Sequence, residues 1–504
     1  MKYIFLFSLL VFTRSVSSQK HDYIWYWTGF TTLDNDLTAN VLDFNNGQRT
    51  MTQVKTNWQN DQANASMCDE DGNLLFYFNG CYIAGADHKL IENGDSINYS
   101  IWWNLIGNCS SGYTGNQDIL IIPDPGNAKG YYIVHKTLEK VKIIGLNDVN
   151  YLGLKYTYVD MTLNEGKGKV TSKNQMVYED TLASGFIHAV KHSNGRDWWI
   201  VDMKNPTFQS PTDLTYLVFL LSDQGIQWHH NQTMDYQLDH NTSAAGSSKF
   251  SPTGDRYAHY SFTNGMWLMD FDRESGEFSN FDYYRIKHKN WSKGLEWSAS
   301  GRYLYVSATD SLFQYDTNEP DIGSTEQLVG VWDGTYNPLQ TYFGVMQRGP
   351  DCKIYMSSFS STRSIHLINN PDESAPFCGF EQNGLALFAT TGTLSMPTFP
   401  NYRLDSGPVC DPNIVPEITR TAEDLTNNID IFPNPAFSSI NIKHNFGLGE
   451  FTVKIFDING REVKVVTIKD NEELPVVDLS DGIYIVKIIT DGSVRRIKKL
   501  VLMK

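Results

Sequence analysis

The sequence lacks the short motifs that mark common catalytic and nucleotide-binding sites. It contains no G-x-S-x-G, H-E-x-x-H, Walker or G-x-G-x-x-G segment, so nothing supports serine-hydrolase, zinc-peptidase, P-loop or dinucleotide-binding chemistry. It also lacks a C-x-x-C pair, which removes the usual evidence for a zinc ribbon or a thioredoxin-type redox site. We therefore predict no metal, no cofactor and no identified catalytic residue.

Long helical periodicities and an excess of basic residues are also missing. The 504 residues carry a net charge of −16, and an acidic surface without a basic stripe argues against a nucleic-acid partner. The chain is too long for one ordinary compact domain. Hydrophobic residues make up 41% and aromatic residues 13% of the chain, with glycine recurring between short apolar runs. This composition indicates an all-β protein.

The first residues have the features of a secretory leader. Lys2 precedes the apolar run 4–12, which is too short to span a bilayer, and small residues follow it. We predict a signal peptide over 1–18, cleaved between Ser18 and Gln19. This leader places the mature chain outside the cytoplasm. No later stretch is long and apolar enough for a transmembrane segment.

Export makes disulfides an expected feature, because the compartments beyond the inner membrane permit oxidation. The six cysteines fall into two sequence groups, so we predict pairing within each group. Each group has three members, so at least two thiols remain free or pair between groups. The groups are Cys68, Cys81 and Cys109, and Cys352, Cys378 and Cys410.

One pattern recurs through residues 24–402. A polar turn, usually with glycine, precedes a run rich in Tyr, Trp, Val and Ile, as in SNGRDWWIVDMK (193–204), SPTGDRYAHYSF (251–262) and SASGRYLYVSAT (298–309). Glycine permits a positive φ in the turn, and aromatic and β-branched residues suit a half-buried strand. Each unit therefore predicts a β-hairpin.

The spacing of these hairpins predicts a β-propeller. Matched turn positions lie 59, 47 and 51 residues apart along the series Gly195, Gly254, Gly301 and Cys352. Such repeats are typical of blades, because a single four-stranded sheet cannot bury both of its faces. Residues 24–402 suffice for seven or eight blades of about 45–55 residues. Two β-sandwiches are the competing interpretation, but they give no reason for a recurring turn.

The composition changes after residue 403. Residues 404–428 are polar and without period, which predicts a linker. Residues 429–504 contain neither tryptophan nor cysteine and alternate in short runs, as in SSINIKH (438–444) and IYIVKIIT (483–490). They predict a small Ig-like β-sandwich of about seven strands. The predicted organisation is a signal peptide (1–18), a propeller (19–403), a linker (404–428) and a terminal sandwich (429–504).

The turn units resemble WD40-like and TolB-type propeller repeats. FSPTGDRY (250–257) is the best match, whereas PDCKIY (350–355) has Cys352 where glycine is usual. Most of residues 25–402 also resemble a group of secreted Bacteroidetes propellers, on segments such as WYWTGFTTLD, CDEDGNLLFYFNG and MPTFPNYRL. The resemblance implies a propeller fold and no single activity.

The last 76 residues resemble the type A C-terminal sorting domain of the Bacteroidetes type IX secretion system. The match rests on a Pro-Asn-Pro opening, IFDINGREV, LSDGIYIVKI and the basic–apolar end RRIKKLVLMK, in that order. The resemblance implies recognition by the type IX machinery and passage through the periplasm to the outer cell surface or the medium. The motif residues are Pro433, Asn434, Pro435, Gly460, Gly482, Tyr484, Lys498 and Lys499.

The densest polar group in the repeats lies in FIHAVKHSNGRDWWIV (186–201). His188 and His192 are four residues apart and would face the same side of a strand. With Arg196 and Asp197 they are the candidate ligand-binding residues. A structural role is the favoured alternative, because no partner for a metal or a general base can be placed from sequence.

Other polar and aromatic segments have a structural interpretation beside a functional one. The histidine-rich segment WHHNQTMDYQLDH (228–240) is predicted to be an exposed loop between blades rather than a metal site, and CDEDGN (68–73) a hairpin turn rather than a calcium loop. In the doublets Trp102–Trp103 and Trp198–Trp199 we expect one ring in the core and the other available to stack on sugars.

The sequence thus predicts a secreted or cell-surface propeller that binds carbohydrate, peptide or a surface partner without catalysis. Two alternatives remain open: a hydrolase or lyase with its site at the central channel, and a structural component of a surface layer or gliding apparatus. Carboxylates and a histidine converging at the channel mouth would favour the enzyme. An aromatic face without converging acids would favour the binder.

Overall fold

The structure, a computed structural model, is built almost entirely from β-strands and divides into two compact units, Met1–Pro416 and Glu417–Lys504. The predicted signal peptide, with Ser18, lies outside the described residues. The structure describes residues 19–503 except 29–36, 61, 101–102, 104–108, 110–111, 144–145, 206–212, 238–245, 262–263, 287–293, 393, 395, 417–428, 445–449, 458–459, 470–471 and 491–492.

The described part of the first unit contains 27 strands and three short 3-10 helices. The helices are Asn45–Gly47, Asn164–Gly166 and Ile322–Thr325. The strands are β1 Ile24–Thr28, β2 Thr38–Asp43, β3 Gln48–Lys55, β4 Ala65–Cys68, β5 Leu74–Phe78, β6 Ile83–Gly85, β7 Ile119–Asp124, β8 Asn127–Ile143, β9 Leu146–Asp160, β10 Lys169–Leu182, β11 His188–Lys191, β12 Trp198–Met203, β13 Asp213–Ser222, β14 Gly225–Gln237, β15 Gly246–Phe250, β16 Arg256–Ser261, β17 Gly265–Phe271, β18 Phe278–Tyr284, β19 Leu295–Trp297, β20 Tyr303–Ala308, β21 Ser311–Asp316, β22 Gln327–Val331, β23 Phe343–Arg348, β24 Ile354–Ser358, β25 Ser364–Ile368, β26 Phe380–Ala386 and β27 Val415–Pro416.

These strands form seven sheets, each a run of consecutive antiparallel strands. Sheet 1 is β1–β3 with β27 added in parallel beside β3, and sheet 2 is the three-stranded β4–β6. Sheets 3 to 7 are the four-stranded sets β7–β10, β11–β14, β15–β18, β19–β22 and β23–β26. Local pairing of neighbours in sequence is what recurring hairpin turns dictate.

The sheets pack in chain order and close on themselves, so the first unit is a seven-bladed β-propeller. Tyr26 of sheet 1 stacks on Tyr77 of sheet 2, with ring centroids 3.9 Å apart. At the closure, Trp25 meets Tyr355 of sheet 7 at 5.0 Å, and Arg49 donates a 2.8 Å hydrogen bond to the Tyr355 hydroxyl. Closure leaves few open sheet edges.

Large aromatic side chains fill the spaces between neighbouring blades. Trp199 and Trp267 are buried between sheets 4 and 5, Trp297 between sheets 5 and 6, and Phe343 between sheets 6 and 7. Both faces of a blade are covered in this arrangement. Successive side chains along a strand therefore point to two buried faces, rather than alternately to the core and to solvent.

The backbone confirms the repeat at the matched turn positions. Gly195, Gly254 and Gly301 have φ values of 72°, 75° and 75°, and Cys352 has φ of 65°. Glycine adopts this left-handed conformation without strain, whereas a residue with a Cβ atom does so at a cost. Cys352 therefore replaces the usual glycine but keeps the left-handed conformation of the turn.

The cysteines pair within their two sequence groups, as predicted. Cys81 is bonded to Cys109 and Cys352 to Cys410, while the thiols of Cys68 and Cys378 are free and buried.

The first unit extends past residue 403, where the sequence places the start of a linker. Cys410 is bonded to Cys352, and Val415–Pro416 pairs with the first residues of β3. Residues 404–416 therefore lie on the propeller, held by a disulfide despite their aperiodic composition. The rest of the predicted linker, 417–428, lies outside the described residues.

The second unit is a small β-sandwich. One sheet has the order Ile429–Phe432, Ser439–His444, Glu473–Pro475, and the other has the order Glu462–Lys469, Glu450–Phe456, Gly482–Thr490, Ser493–Leu502. Alternate apolar residues from both sheets form one core, including Ile440, Ile455 and Val486. The strands are β28 Ile429–Phe432, β29 Ser439–His444, β30 Glu450–Phe456, β31 Glu462–Lys469, β32 Glu473–Pro475, β33 Gly482–Thr490 and β34 Ser493–Leu502.

Candidate functional site

The four predicted ligand-binding residues do not form one site. His188 begins β11, is 3% exposed and lines a cavity inside the propeller. His192 lies beyond the end of that strand, where its ring stacks on Trp199 at 5.3 Å. The two imidazoles are therefore separated, because the chain leaves the strand after Lys191.

His192, Arg196 and Asp197 belong to the turn between β11 and β12. The Asn194 N–H donates to His192 Nδ1 over 3.0 Å, and Arg196 Nε donates to Asp197 Oδ1 over 2.8 Å. Burial favours a higher pKa for Asp197, but hydrogen bonds from Arg196 and Asn194 outweigh it and lower the pKa. These contacts stabilise the hairpin, and a ligand-binding role for this turn stays a prediction.

The cavity at His188 collects charged residues from four neighbouring blades. Lys249 of β15 lies 3.2 Å from Glu296 of β19 and donates to Gln347 Oε1 of β23 over 2.7 Å. The backbone N–H of Arg348 donates to the Glu296 carboxylate over 3.1 Å. Converging polar groups of this kind are what the enzyme hypothesis requires.

The end of the cavity toward the hairpin turns is lined by the chain that follows sheet 7. Phe399 and Arg403 contribute to the wall, and Arg403 makes a bidentate ion pair with Asp22. The cavity volume is about 20 Å³, room for about one water molecule. A sugar or a peptide does not fit into this space.

The structure differs from the predictions for the tryptophan doublets and for the histidine-rich segment 228–240. Trp198 and Trp199 are both buried, in the cores on opposite faces of sheet 4, so neither is a platform. Trp103 is buried as well, and Trp102 lies outside the described residues. Of the histidine-rich segment, residues 228–237 belong to β14 rather than a loop.

A partly exposed aromatic group that the sequence analysis missed lies between β22 and β23. We call Trp332, Tyr336 and Tyr342 the aromatic ledge. Trp332 contacts Tyr342 at 4.3 Å and Tyr336 at 6.0 Å between ring centroids. Tyr336 is 60% exposed. The available signal was VWDGTYNPLQTYF (331–343), which places aromatic residues around Asp-Gly and Asn-Pro turn pairs.

Polar side chains hold the ledge and border it. Trp332 Nε1 donates to Thr341 Oγ1 over 3.3 Å. Asp333 accepts hydrogen bonds from the Thr335 N–H at 2.9 Å and from Gln382 Nε2 at 2.5 Å. Burial favours a higher pKa for Asp333, but these hydrogen bonds outweigh it and lower the pKa. The Asp333 carboxylate and the Gln382 amide thus border a ledge on which Tyr336 is exposed and Trp332 is half-buried.

A groove of about 320 Å³ lies elsewhere on the first unit, where residues 412–416 pass sheet 7. Its walls carry Lys353, Asp372 and Glu373. Lys353 Nζ donates to Asn369 Oδ1 over 2.8 Å, and Asp372 accepts from Ser300. Lys353 and Asp372 are therefore engaged with the protein, and no aromatic side chain is among the residues that line the groove.

In the second unit, the sorting-motif residues mark the entry and the last hairpin of the sandwich. Pro433 and Pro435 follow β28, and Asn434 Oδ1 accepts the Val501 N–H over 2.9 Å. Gly460 has φ of 77°, and Gly482 begins β33. The Tyr484 hydroxyl donates to the Ser480 carbonyl over 2.8 Å. Lys498 and Lys499 lie in β34, opposite Val486 and Ile485.

Residues 430–503 match the family described as the secretion system C-terminal sorting domain. The order of motifs in the tail and its seven-stranded sandwich agree with that match. The protein is thus a β-propeller cargo of the type IX secretion system, delivered to the cell surface or the medium. The described residues include no helix long and apolar enough to cross a membrane.

Solved structures similar to this chain include propeller proteins at low identity. A protein from Lactobacillus plantarum is 13% identical, covering 74% of this chain and 97% of its own, with a TM-score of 0.40. A putative 6-phosphogluconolactonase from Bacteroides uniformis is 10% identical, with coverages of 73% and 98% and a TM-score of 0.38. A β-propeller domain from Myceliophteria thermophila is 10% identical, with coverages of 64% and 88% and a TM-score of 0.36. No curated protein matches the sequence. At these identities and TM-scores, the similar structures give no information about the function of this protein.

Proposed function

We propose that the exported propeller is a non-catalytic binding protein for carbohydrate and that the aromatic ledge is its contact surface. The observation that carries the proposal is the exposed ring of Tyr336 beside Trp332, with Asp333 at its edge. Aromatic faces supply apolar contact area with little side-chain entropy to lose. The apolar C–H face of a sugar ring packs on such a surface while its hydroxyls reach polar groups at the rim.

The polar groups at the rim are suited to sugar hydroxyls. Asp333 and Gln382 already orient one another through paired hydrogen bonds of 3.1 Å and 2.5 Å. A low pKa keeps Asp333 ionised, and an ionised carboxylate accepts strong hydrogen bonds from hydroxyl groups. Preorganised acceptors reduce the cost of binding.

The cavity in the central channel is a poorer candidate for a carbohydrate site than the ledge. Its carboxylate, Glu296, is engaged by Lys249 and by the Arg348 backbone. The space beside it admits one water-sized occupant rather than a substrate. A glycosidase needs two carboxylates flanking a bound sugar, and this cavity has no room for one. The ledge is therefore the better candidate for the protein's principal ligand.

The test is a glycan and peptide array probed with the full mature chain, followed by titration of the best ligand against two variants. Tyr336→Ala is expected to weaken carbohydrate binding about tenfold or more, equivalent to about 1.4 kcal/mol. Tyr99→Ala is the matched control, because Tyr99 is 61% exposed and lies outside the ledge; it should bind as the parent does.

Two results would contradict the proposal. One is binding that is insensitive to Tyr336→Ala. The other is an array that shows peptide ligands alone, which would favour a protein partner. Catalytic turnover of an arrayed glycan would instead support the hydrolase or lyase alternative.

A further inference from the structure

The polar cavity in the propeller channel is small and lined by charged residues. Its walls include the first strands of four blades, through His188 of β11, Lys249 of β15, Glu296 of β19 and Arg348 of β23. The volume of about 20 Å³ corresponds to a single water-sized particle.

His188 supplies the first indication of a ligand. Its side chain is buried, and within the described part of the chain neither ring nitrogen makes a hydrogen bond of good geometry. Buried imidazole nitrogens are rarely left without a partner, because each costs desolvation free energy. Burial and the charge of Lys249 lower the pKa of His188, a backbone contact with Phe399 opposes them, and Arg348 lowers the pKa further. The ring is neutral and offers one N–H donor.

The charge balance of the cavity gives the second indication. Among the described residues that line it, Arg403 and Asp22 form a bidentate pair and cancel. The positive charges of Lys249 and Arg348 then face one remaining carboxylate, that of Glu296. Counted with Lys249 and Arg348 both protonated, the formal net charge of these residues is +1, and an uncompensated buried charge is costly.

Unused donors accompany this charge. Lys249 Nζ donates to Gln347 at 2.7 Å and lies 3.2 Å from Glu296, which engages two of its three protons. Arg348 donates through Nη1 to the Trp297 and Ser298 carbonyls at 3.1 Å and 3.3 Å. Its guanidinium carries five N–H donors. The cavity is thus rich in donors and poor in free acceptors.

We propose that this cavity binds a single halide ion, chloride in ordinary media, with Lys249, Arg348 and His188 as its donors. A monatomic anion neutralises the excess charge and accepts several N–H bonds without needing a donor of its own. A water molecule satisfies hydrogen-bond donors but leaves the positive charge uncompensated, and a monatomic halide is smaller than a polyatomic anion in a space of about 20 Å³. The ion would link sheets 4, 5 and 7 at the channel and stabilise the closed ring.

The first test is thermal unfolding of the full chain followed by tryptophan fluorescence. All twelve tryptophans precede residue 417, so the signal reports on the propeller. Replacing sodium gluconate by sodium chloride at constant ionic strength should raise Tm saturably, by about 2 °C or more. Lys249→Met makes the cavity neutral by leaving Glu296 with Arg348, and it should abolish the chloride-dependent rise. Arg302→Gln, which removes an exposed ion pair with Asp316, should retain it.

The second test does not depend on a variant that folds. Crystals of the parent protein grown in sodium bromide should show an anomalous peak in the cavity, beside Lys249 and His188. Density for water without an anomalous signal would overturn the proposal. An equal Tm in chloride and gluconate, or a full chloride response in Lys249→Met, would overturn it as well.

Discussion

Arg403 and Asp22 form a buried bidentate ion pair, although 381 residues separate them in the sequence. Nη1 lies 2.5 Å from Oδ1 and Nη2 lies 2.8 Å from Oδ2. Arg403 also donates to the Gln19 and Val409 carbonyls. The pair therefore joins the start of the described chain to the segment that leaves sheet 7, and it stabilises the closed propeller.

Replacing Arg403 by methionine should destabilise the propeller by about 3–5 kcal/mol, because Asp22 is left as an uncompensated buried carboxylate. Urea unfolding followed by tryptophan fluorescence measures the change. The double variant Asp22→Asn with Arg403→Met should recover much of the loss. Arg302→Gln, at an exposed pair, should cost much less than Arg403→Met; an equal loss in both single variants would contradict the buried-pair interpretation.

Cys352 combines a disulfide with a backbone conformation that favours glycine. Removing the bond by Cys352→Ser with Cys410→Ser should cost about 2–4 kcal/mol, since it closes a loop of 58 residues. Cys352→Gly with Cys410→Ser should be about 1 kcal/mol more stable than the double serine variant, because glycine accepts the φ of 65° without strain. Differential scanning calorimetry compares the two variants. Equal stabilities would show that the left-handed backbone carries no cost here.

Lys136 bridges two buried carboxylates between sheets 3 and 4, at 2.9 Å from Asp118 and 3.1 Å from Asp202. Burial raises the pKa of Asp202 to about 6, although Lys136 opposes the shift. A carboxyl group with a raised folded-state pKa binds its proton more tightly when folded. Its contribution to stability therefore declines as the pH rises from about 4 to about 6.

Asp202→Asn should remove this decline. The free energy of unfolding of the parent minus that of the variant should fall between pH 4 and pH 7, measured by urea unfolding at each pH. Asp310→Asn, at an exposed carboxylate, is the control for replacing an aspartate outside the buried cluster. Parallel profiles for Asp202→Asn would contradict the prediction.

Truncation after Asn428 should abolish export across the outer membrane, because the sorting domain that matches residues 430–503 is removed. The propeller should then accumulate in the periplasm, as measured by fractionation and immunoblotting. Tyr336→Ala in the full chain should be exported like the parent, since it leaves the tail intact. Normal secretion of the truncated chain would refute the sorting role.

The repeat, the cysteine groups and the tail could be predicted from the sequence because each depends on local signals. A polar turn followed by aromatic and β-branched residues specifies a hairpin wherever it occurs, and the φ values at Gly254 and Gly301 agree with that. The boundary near residue 403 could not be predicted, because the disulfide to Cys352 and the short parallel strand at Val415 are contacts with distant parts of the chain.

The candidate sites depended on tertiary structure. Both rings of Trp198–Trp199 are buried because neighbouring blades cover both faces of a sheet, so period-two alternation carries no information about exposure. His188 meets Lys249, Glu296 and Arg348 only because successive inner strands surround one channel. By itself, the sequence determined the hairpins, the number of blades to within one and the C-terminal sorting domain that directs export. Which side chains converge inside the ring, and which rings stand exposed at Tyr336, was decided by closure, since contacts between residues far apart in the chain exist only once the blades meet.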